Sequence, residues 1–348
     1  MTMMRPSWTP DAGLVREVKN LFDSTIASYR VKPDLISEHA NHEESIRVGG
    51  YANRTLLELV QNAADAMSGT GADSDPNAGR VEIVLDTTRN TLYCANAGRP
   101  FSKSGLTAIT HAHLSGKRGD EIGRFGLGFK SVLAVSSAPK VYSRSVSFEF
   151  NSAEARSAIT GIGSATRRLP ALRTATVLDA DRAFTEDRIL AELSEWAATI
   201  VKLPDVSDTT RLRREIIDFS SEFLLFVSAV RRVRLRIIGA DPFETSHVSR
   251  SLGDGLFKIE GPDGEGEEWL VEDRMHAPTA EARRQVGEAV SRAEVKVTVA
   301  VPRRLRRENR VGRFWSYFPA AGQDLGIRSF QRSMERERRP NHAPSQRL

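Results

Sequence analysis

Cysteine is nearly absent: Cys94 is the single one in 348 residues, so disulfides and thiolate metal centres have little to be built from. No run approaches the roughly 20 apolar residues that a membrane helix needs. The opening MTMMRPSWTPDAG lacks the apolar core of a secretory signal. These absences point to the cytoplasm and away from a membrane partner. Two common nucleotide signatures are also missing. There is no GxxxxGK[ST] and no Rossmann βαβ unit with an acid after its second strand. No internal repeat is found. What is present is a normal globular balance, 40% hydrophobic and 27% charged, which excludes wholesale disorder and collagen-like or mucin-like chains. The length exceeds one ordinary core and predicts two domains.

Positive charge is concentrated at one end. Residues 303 to 348 carry twelve arginines against Glu308, Asp324, Glu335 and Glu337, a local +8, so the formal total of +5 leaves −3 for the rest. A slightly acidic body with a basic tail gives solubility and non-specific attraction before function, and makes no case for nucleic acid as the body's partner.

Helical spacing over residues 14 to 46, with a break at Pro33, predicts a helical lead-in, and a second apolar helix is expected from Asn53 to Met67. Val81, Ile83 and Leu85, then Thr91 to Cys94 after a polar turn, predict a hairpin. Residues 98 to 124, rich in Gly, Ser, Lys and Arg, are expected as a long functional loop or lid. A helix is expected from Gly126 to Val135, with strands at 140 to 143 and 146 to 150. A helix from Glu186 to Trp196 should lead into a strand ending at Pro204. Beyond a boundary near 205, one long helix is predicted from Arg211 to Val230. Strands at 233 to 238, 256 to 259, 268 to 271 and 295 to 301 would complete a second α+β unit.

Three segments carry chemistry. On the helix TLLELVQNAADAM, at 100° per residue, Glu58, Gln61, Asn62 and Asp65 share one narrow stripe while apolar residues cover the rest. A core helix with one wet face gives that pattern. So does a site in which an amide oxygen binds Mg²⁺ and a carboxylate one turn away polarises water. In GRFGLGFKSV, Gly123, Gly126 and Gly128 stand at a helix start, where unpaired N–H groups favour an anion; a tight packed turn is the alternative. In YCANAGRPF, Asn96 stands two residues before Gly98 at a strand end, which suits a turn or an amide facing adenine.

Together, in this order and spacing, the three segments resemble the GHKL ATPase superfamily, which includes gyrase B, MutL, the ninety-kilodalton heat-shock chaperone and sensor histidine kinases. ELVQNAADA is similar to its first box, ANAGRPF to its adenine box and GRFGLGFKSV to its phosphate box. RPFS, SGKRGDEIGRFGLGFKSV and GRFWSYFP look closest to sacsin-like N-terminal ATPase domains of large bacterial proteins. The likeness covers residues 51 to 150 well, 186 to 204 moderately and the remainder thinly.

The resemblance implies a fold and a set of roles. The fold would be α/β: a two-layer sandwich of the Bergerat type over residues 1 to 205, a mixed sheet with helices on one face. A partial α+β middle domain, 206 to 319, and a disordered basic tail, 320 to 348, would follow. The cofactors would be ATP and Mg²⁺. Glu58 matches the general base, Asn62 the Mg²⁺ ligand, and Asp65 a position supporting the nucleotide. Asn96 stands where most members have an adenine-reading Asp; an amide accepts from the adenine amine through its oxygen. Gly98 would line the base. Gly123, Gly126, Leu127, Gly128 and the Phe129 amide would face the phosphates, with Lys117 and Lys130 as candidate phosphate cations, each equally an ordinary solvated lysine. Thr199 matches a threonine reaching adenine through water, or is a plain strand threonine.

The implied activity is Mg-ATP binding with slow hydrolysis, driving lid closure in a chaperone-like or defence-type protein. Protein clients, partner subunits or a homodimer are the implied partners. A nucleotide-sensing scaffold with little turnover is the alternative. His111 and His113 lack acid partners nearby; histidine kinases need a separate dimerisation helix carrying their histidine before the ATP domain, and the 14 to 46 stretch has only His39 and His42, so kinase activity is discounted. DNA-linked motor work lacks a transducer segment. The likeness stops after GRFWSYFP, and residues from about 320 are expected to be an out-of-frame reading. Met334-Glu335 is encoded ATG-GAR, so the frame displaced by one base contains a tryptophan codon. That frame permits an APW…NEDR segment like that of sacsin-like relatives; a genuine basic tail is the alternative. A chain so shortened would have an uncovered apolar face and weak or no ATPase activity.

Overall fold

A computed structural model describes residues 7–48, 55–68, 77–110, 129–163, 168–286, 293–303, 313–315 and 319–324. The chain is mixed α/β, organised on a mixed sheet of eleven strands. At its centre lie β1 (Arg80–Asp86) and β2 (Thr91–Asn96), the expected hairpin, antiparallel with Val81 opposite Asn96. β2 pairs with β6 (Thr199–Leu203), and β6 with β3 (Lys140–Ser143). β4 (Phe148–Glu149) and β5 (Thr176–Val177) complete that flank. On the other side β1 pairs in parallel with β7 (Arg232–Ile238). β8 (Phe243–Gly253), β9 (Leu256–Glu260), β10 (Gly266–His276) and β11 (Val295–Pro302) follow as an antiparallel meander. The sheet therefore runs unbroken across position 205. Residues from both sides of it, including Leu203, Val206, Leu212 and Val233, share one apolar cluster.

Strand parity decides what covers each face. Ile83, Leu85, Leu92, Cys94 and Leu203 point to α3 (Thr55–Met67) and α8 (Thr209–Ile217). Further along the same face, Val141 and Phe148 meet α1 (Ala12–Val31) and α4 (Lys103–Thr110). α2 (Asp34–Val48) joins α1 through Ile36, Ile26 and Tyr29, with Ile159 of α5 (Ala153–Thr160) in the same cluster. The opposite residues Val84, Tyr93, Tyr142 and Ile200 are also apolar. They are covered by α7 (Arg188–Ser194), preceded by α6 (Ala180–Glu186). This corrects the expectation of helices on one face only, because alternate residues of these central strands are buried on both.

Other departures have local causes. Within the expected loop 98 to 124, α4 forms because Leu106 and Ile109, three apart, bury beside Phe101, while Ser102 Oγ accepts from the Gly105 N–H (3.2 Å). The long helix expected over 211 to 230 is broken. α8 starts at Asp208, whose Oδ1 accepts from the Arg211 N–H (2.8 Å), and ends at Asp218. A single turn, α9 (Phe223–Phe226), resumes after Ser220-Ser221. The break lets Ile216 and Leu224 join one cluster while Leu225 faces Ile259 and Trp269 in another. The helix expected from Gly126 is described from Phe129 as a 3-10 segment, Phe129–Ala134. β8 lacks alternating apolar residues and gave no sequence signal. α10 (Ala280–Val286) follows β10, and β12 (Arg313–Trp315) pairs with β13 (Pro319–Asp324), a strand that crosses the expected start of the tail. Among the described residues no helix is long and apolar enough to cross a membrane.

Candidate functional site

Helix α3 supplies the first part of the candidate site. Leu56, Leu59, Val60, Ala63, Ala64 and Met67 are buried in the cluster under the sheet, which fixes the helix's rotation. That rotation leaves Glu58 and Asn62 partly buried and Gln61 and Asp65 buried. The polar stripe is thus set against protein rather than open solvent.

At the C-terminal end of α3 the chain returns from β2. Asn96 Oδ1 accepts from the Gly98 N–H at 3.0 Å, closing the turn that the Asn-Ala-Gly spacing allows. A Cβ at Gly98 would lie 2.6 Å from the Ala66 carbonyl carbon, so glycine lets strand and helix backbones touch. The Arg99 N–H then donates to the Ala66 carbonyl (2.8 Å), and Arg99 Nη2 to the Asp65 carbonyl (3.4 Å). Gly98 therefore packs on α3, and Asp65 is held beside the Asn96 turn.

Thr199 stands directly opposite Asn96 in the β2–β6 register, and Ser143 opposite Thr199 in the β3–β6 register. All three are buried on the face that carries α3. The Thr199 hydroxyl donates to Ser143 Oγ (3.2 Å), which also accepts from the Phe101 N–H (3.0 Å). Sequence reasoning missed Ser143. Its only signal is a strand-end serine, whose place beside Thr199 comes from a register spanning 56 residues of sequence.

The structure thus brings Asp65, Asn96, Gly98 and Thr199 together, with Glu58 and Asn62 further back along α3. Phe129 packs against two of the apolar clusters, and α3 contacts the 3-10 segment that carries it. Lys130 is buried on that segment. Burial, then the charge of Arg173, pull its pKa down to about 8, against the opposing pull of Glu43. Lys117, Gly123, Gly126, Leu127 and Gly128, with His111 and His113, lie outside the described residues, as does most of the expected lid.

Behind Lys130 lies a group of ionisable residues that the sequence did not announce. The Glu43 carboxylate accepts from the consecutive N–H groups of Ala171 (2.7 Å) and Leu172 (2.9 Å). Burial nevertheless pushes its pKa up to about 7, outweighing those bonds and the charges of Arg173 and Lys130. His39 Nδ1 lies 2.9 Å from the Tyr29 hydroxyl, and burial, with Arg173, lowers the imidazole to about 4.

A test for Mg²⁺ and ATP rests on the donors present. Gln61 Oε1 is buried with no hydrogen-bond partner among the described residues. It shares its stripe with the oxygens of Glu58 and Asn62, a hard-donor set that suits a cation keeping most of its waters. Among the described residues no group of three or more His, Cys, Asp or Glu side chains is gathered for a metal. The Asn96 oxygen has a second lone pair beyond the one taken by Gly98. These residues fit the group. The chain matches none of the protein-family models searched, and it matches no curated protein.

Proposed function

We propose that the chain binds Mg-ATP on the α3 face and hydrolyses it slowly, in the manner of the GHKL superfamily. The observation that supports this best is the convergence of Asp65, Asn96, Gly98 and Thr199, drawn from three separate stretches of sequence, at one end of the polar stripe of α3. In this reading the core is a Bergerat-type sandwich, with α6 and α7 an added layer on the second face. Bound Mg²⁺ supplies charge neutralisation at the phosphates. Asn62 contributes an amide oxygen for the metal, and Glu58 takes the proton of the attacking water. Asn96 meets the adenine amine through its remaining lone pair, and Asp65 and Thr199 flank it. Burial of this end excludes bulk water, which strengthens each polar contact.

The experiment is a pair of variants. Glu58→Ala should keep ATP affinity within a few-fold while losing roughly 10²-fold of turnover, the loss expected for a general base. Asn62→Ala should lose Mg-dependent binding itself. Equal loss of binding in both would make the stripe structural. Tight binding without phosphate release by the unaltered chain would leave a nucleotide-sensing scaffold.

A further inference from the structure

We propose that β11 is a self-association edge, pairing antiparallel with β11 of a second copy of this chain about a two-fold axis through Thr298. The sheet ends at β11 on one side and at β5 on the other. β5 has two residues, too few to template a ladder, whereas β11 runs for eight residues against β10 with no shift of register. Among the described residues no strand lies on its far side. Such an edge templates another strand unless charge, proline or a bulge blunts it.

Two hydrogen bonds fix which backbone groups face outward. The Arg303 N–H donates to the Glu268 carbonyl (2.8 Å), so Arg303 turns its backbone to β10. The Val271 N–H donates to the Gly255 carbonyl (2.8 Å), so Val271, which stands opposite Ala300, turns its own away from β11. Backbone groups alternate sides along an antiparallel ladder. Both bonds therefore leave the N–H and C=O groups of Lys296, Thr298 and Ala300 on the open side. Pro302 belongs to the same set, and its missing N–H falls where no bond to β10 is lost.

The sequence VKVTVAV, Val295 to Val301, is nearly palindromic about Thr298, and this selects a second β11 as the occupant. An axis through Thr298 sets Val297 against Val299 and Val295 against Val301 of the second copy on one face, with Lys296 against Ala300 on the other. The outward groups then meet as three pairs, 296 with 300, 298 with 298 and 300 with 296, each exchanging two bonds. An axis through Val299 would bring in Pro302, which cannot donate. An axis through Val297 would place the two Lys296 side chains diagonally, about 7–8 Å apart. With the axis at Thr298 they stand four residues apart, roughly 13 Å, beyond the screening length of about 8 Å at physiological salt. Each Lys296 is also neutralised within its own copy, Nζ lying 3.3 Å from Asp273 Oδ2. The valine face agrees: Val297 and Val299 are exposed, and Leu270, also exposed, stands opposite Val301. Pairing merges the two exposed strips and packs their central valines against each other.

The test is sedimentation equilibrium of the full chain without nucleotide, where the apparent mass should rise from one chain towards two with concentration. Thr298→Pro removes an outward N–H and no backbone bond to β10, and should weaken association at least tenfold. A second measurement reads the register independently of that variant. Val297→Cys and Val299→Cys chains, mixed and oxidised, should form a cross-linked dimer, because the two positions face each other at the short spacing of a non-hydrogen-bonded pair. Either chain alone should not, since identical cysteines would sit two residues out of step; the native Cys94 is buried. A monomer at every concentration would mean that another stretch of the chain covers the edge, and overturns the proposal. So does association of full strength in Thr298→Pro, cross-linking by one cysteine chain as efficient as by the mixture, or a dimer that forms only with Mg-ATP. Because no nucleotide is present, failure of the ATP reading leaves this result intact.

Discussion

The two halves of the sheet are built to different standards. In β1 and β2 every residue but Arg80 is buried, whereas in β10 and β11 Leu270, Met275, Val297 and Val299 are all more than 40% exposed. The central strands carry helices on both faces. Among the described residues, the outer meander is covered by the short α9 through Leu225 and Phe226 against Ile259, Trp269 and Val271. β-strand periodicity alone does not distinguish these settings. What distinguishes them is the number of helices that return to each strand, and with it the expected cost of a substitution.

The comparison breaks first, if it breaks, at Glu82. This carboxylate on β1 is fully buried, with Arg80 at 3.0 Å, Arg236 at 2.8 Å and Arg234 at 3.4 Å. Glu82→Ala leaves three guanidiniums around an empty place and should cost about 3–5 kcal/mol in chemical denaturation. Ile83→Ala, one residue on and facing α3, should cost about 2–5 kcal/mol. A loss under about 1 kcal/mol in either would show that the centre is as plastic as the edge.

A pH titration of stability sharpens the comparison, because the Glu43 and His39 group lies in the half built on α1 and α2. Glu43 has its folded pKa raised to about 7, so its contribution is full below about 4.5 and is lost as pH rises through 7. His39 has its folded pKa lowered to about 4, so its contribution is full above about 6.5 and is lost as pH falls through 4. The two slopes oppose each other over the shared window. Glu43→Gln should expose a profile that rises with pH there, and His39→Gln one that falls, read as melting temperature against pH. The smallest effect belongs to the edge: Val299→Thr, at a position 53% exposed on β11, should stay within about 0.5 kcal/mol of the parent.

Much of the central fold was legible from local pattern. The spacing of Leu56, Leu59, Val60 and Ala63 gave α3, Pro33 gave the break between α1 and α2, and Asn96 with Gly98 gave a turn. α4 was hidden because its few apolar residues sit among Gly, Ser and Lys. The interruption between Ile216 and Phe223 was hidden because an apolar run looks continuous whether it serves one core cluster or two. For the candidate site, the stripe of Glu58, Asn62 and Asp65 could be read from one helix. Ser143 and the clamp of Glu43 on Ala171 and Leu172 could not, since their partners lie 56 and 128 residues away and no local rule pairs them.

The parallel ladder between β1 and β7 sets a timetable for the chain. Arg80 pairs with Arg232, 152 residues later, so β1 waits for its second neighbour until that much further sequence has emerged. At ribosomal rates this is roughly 8 to 30 s. During that interval β1 presents an unsatisfied row of amides and carbonyls beside Ile83 and Leu85, and the step that ends it is a long-range closure of the slow kind. A fragment ending near residue 205 never reaches that step, and its exposed strand is where it would first join to another copy of itself.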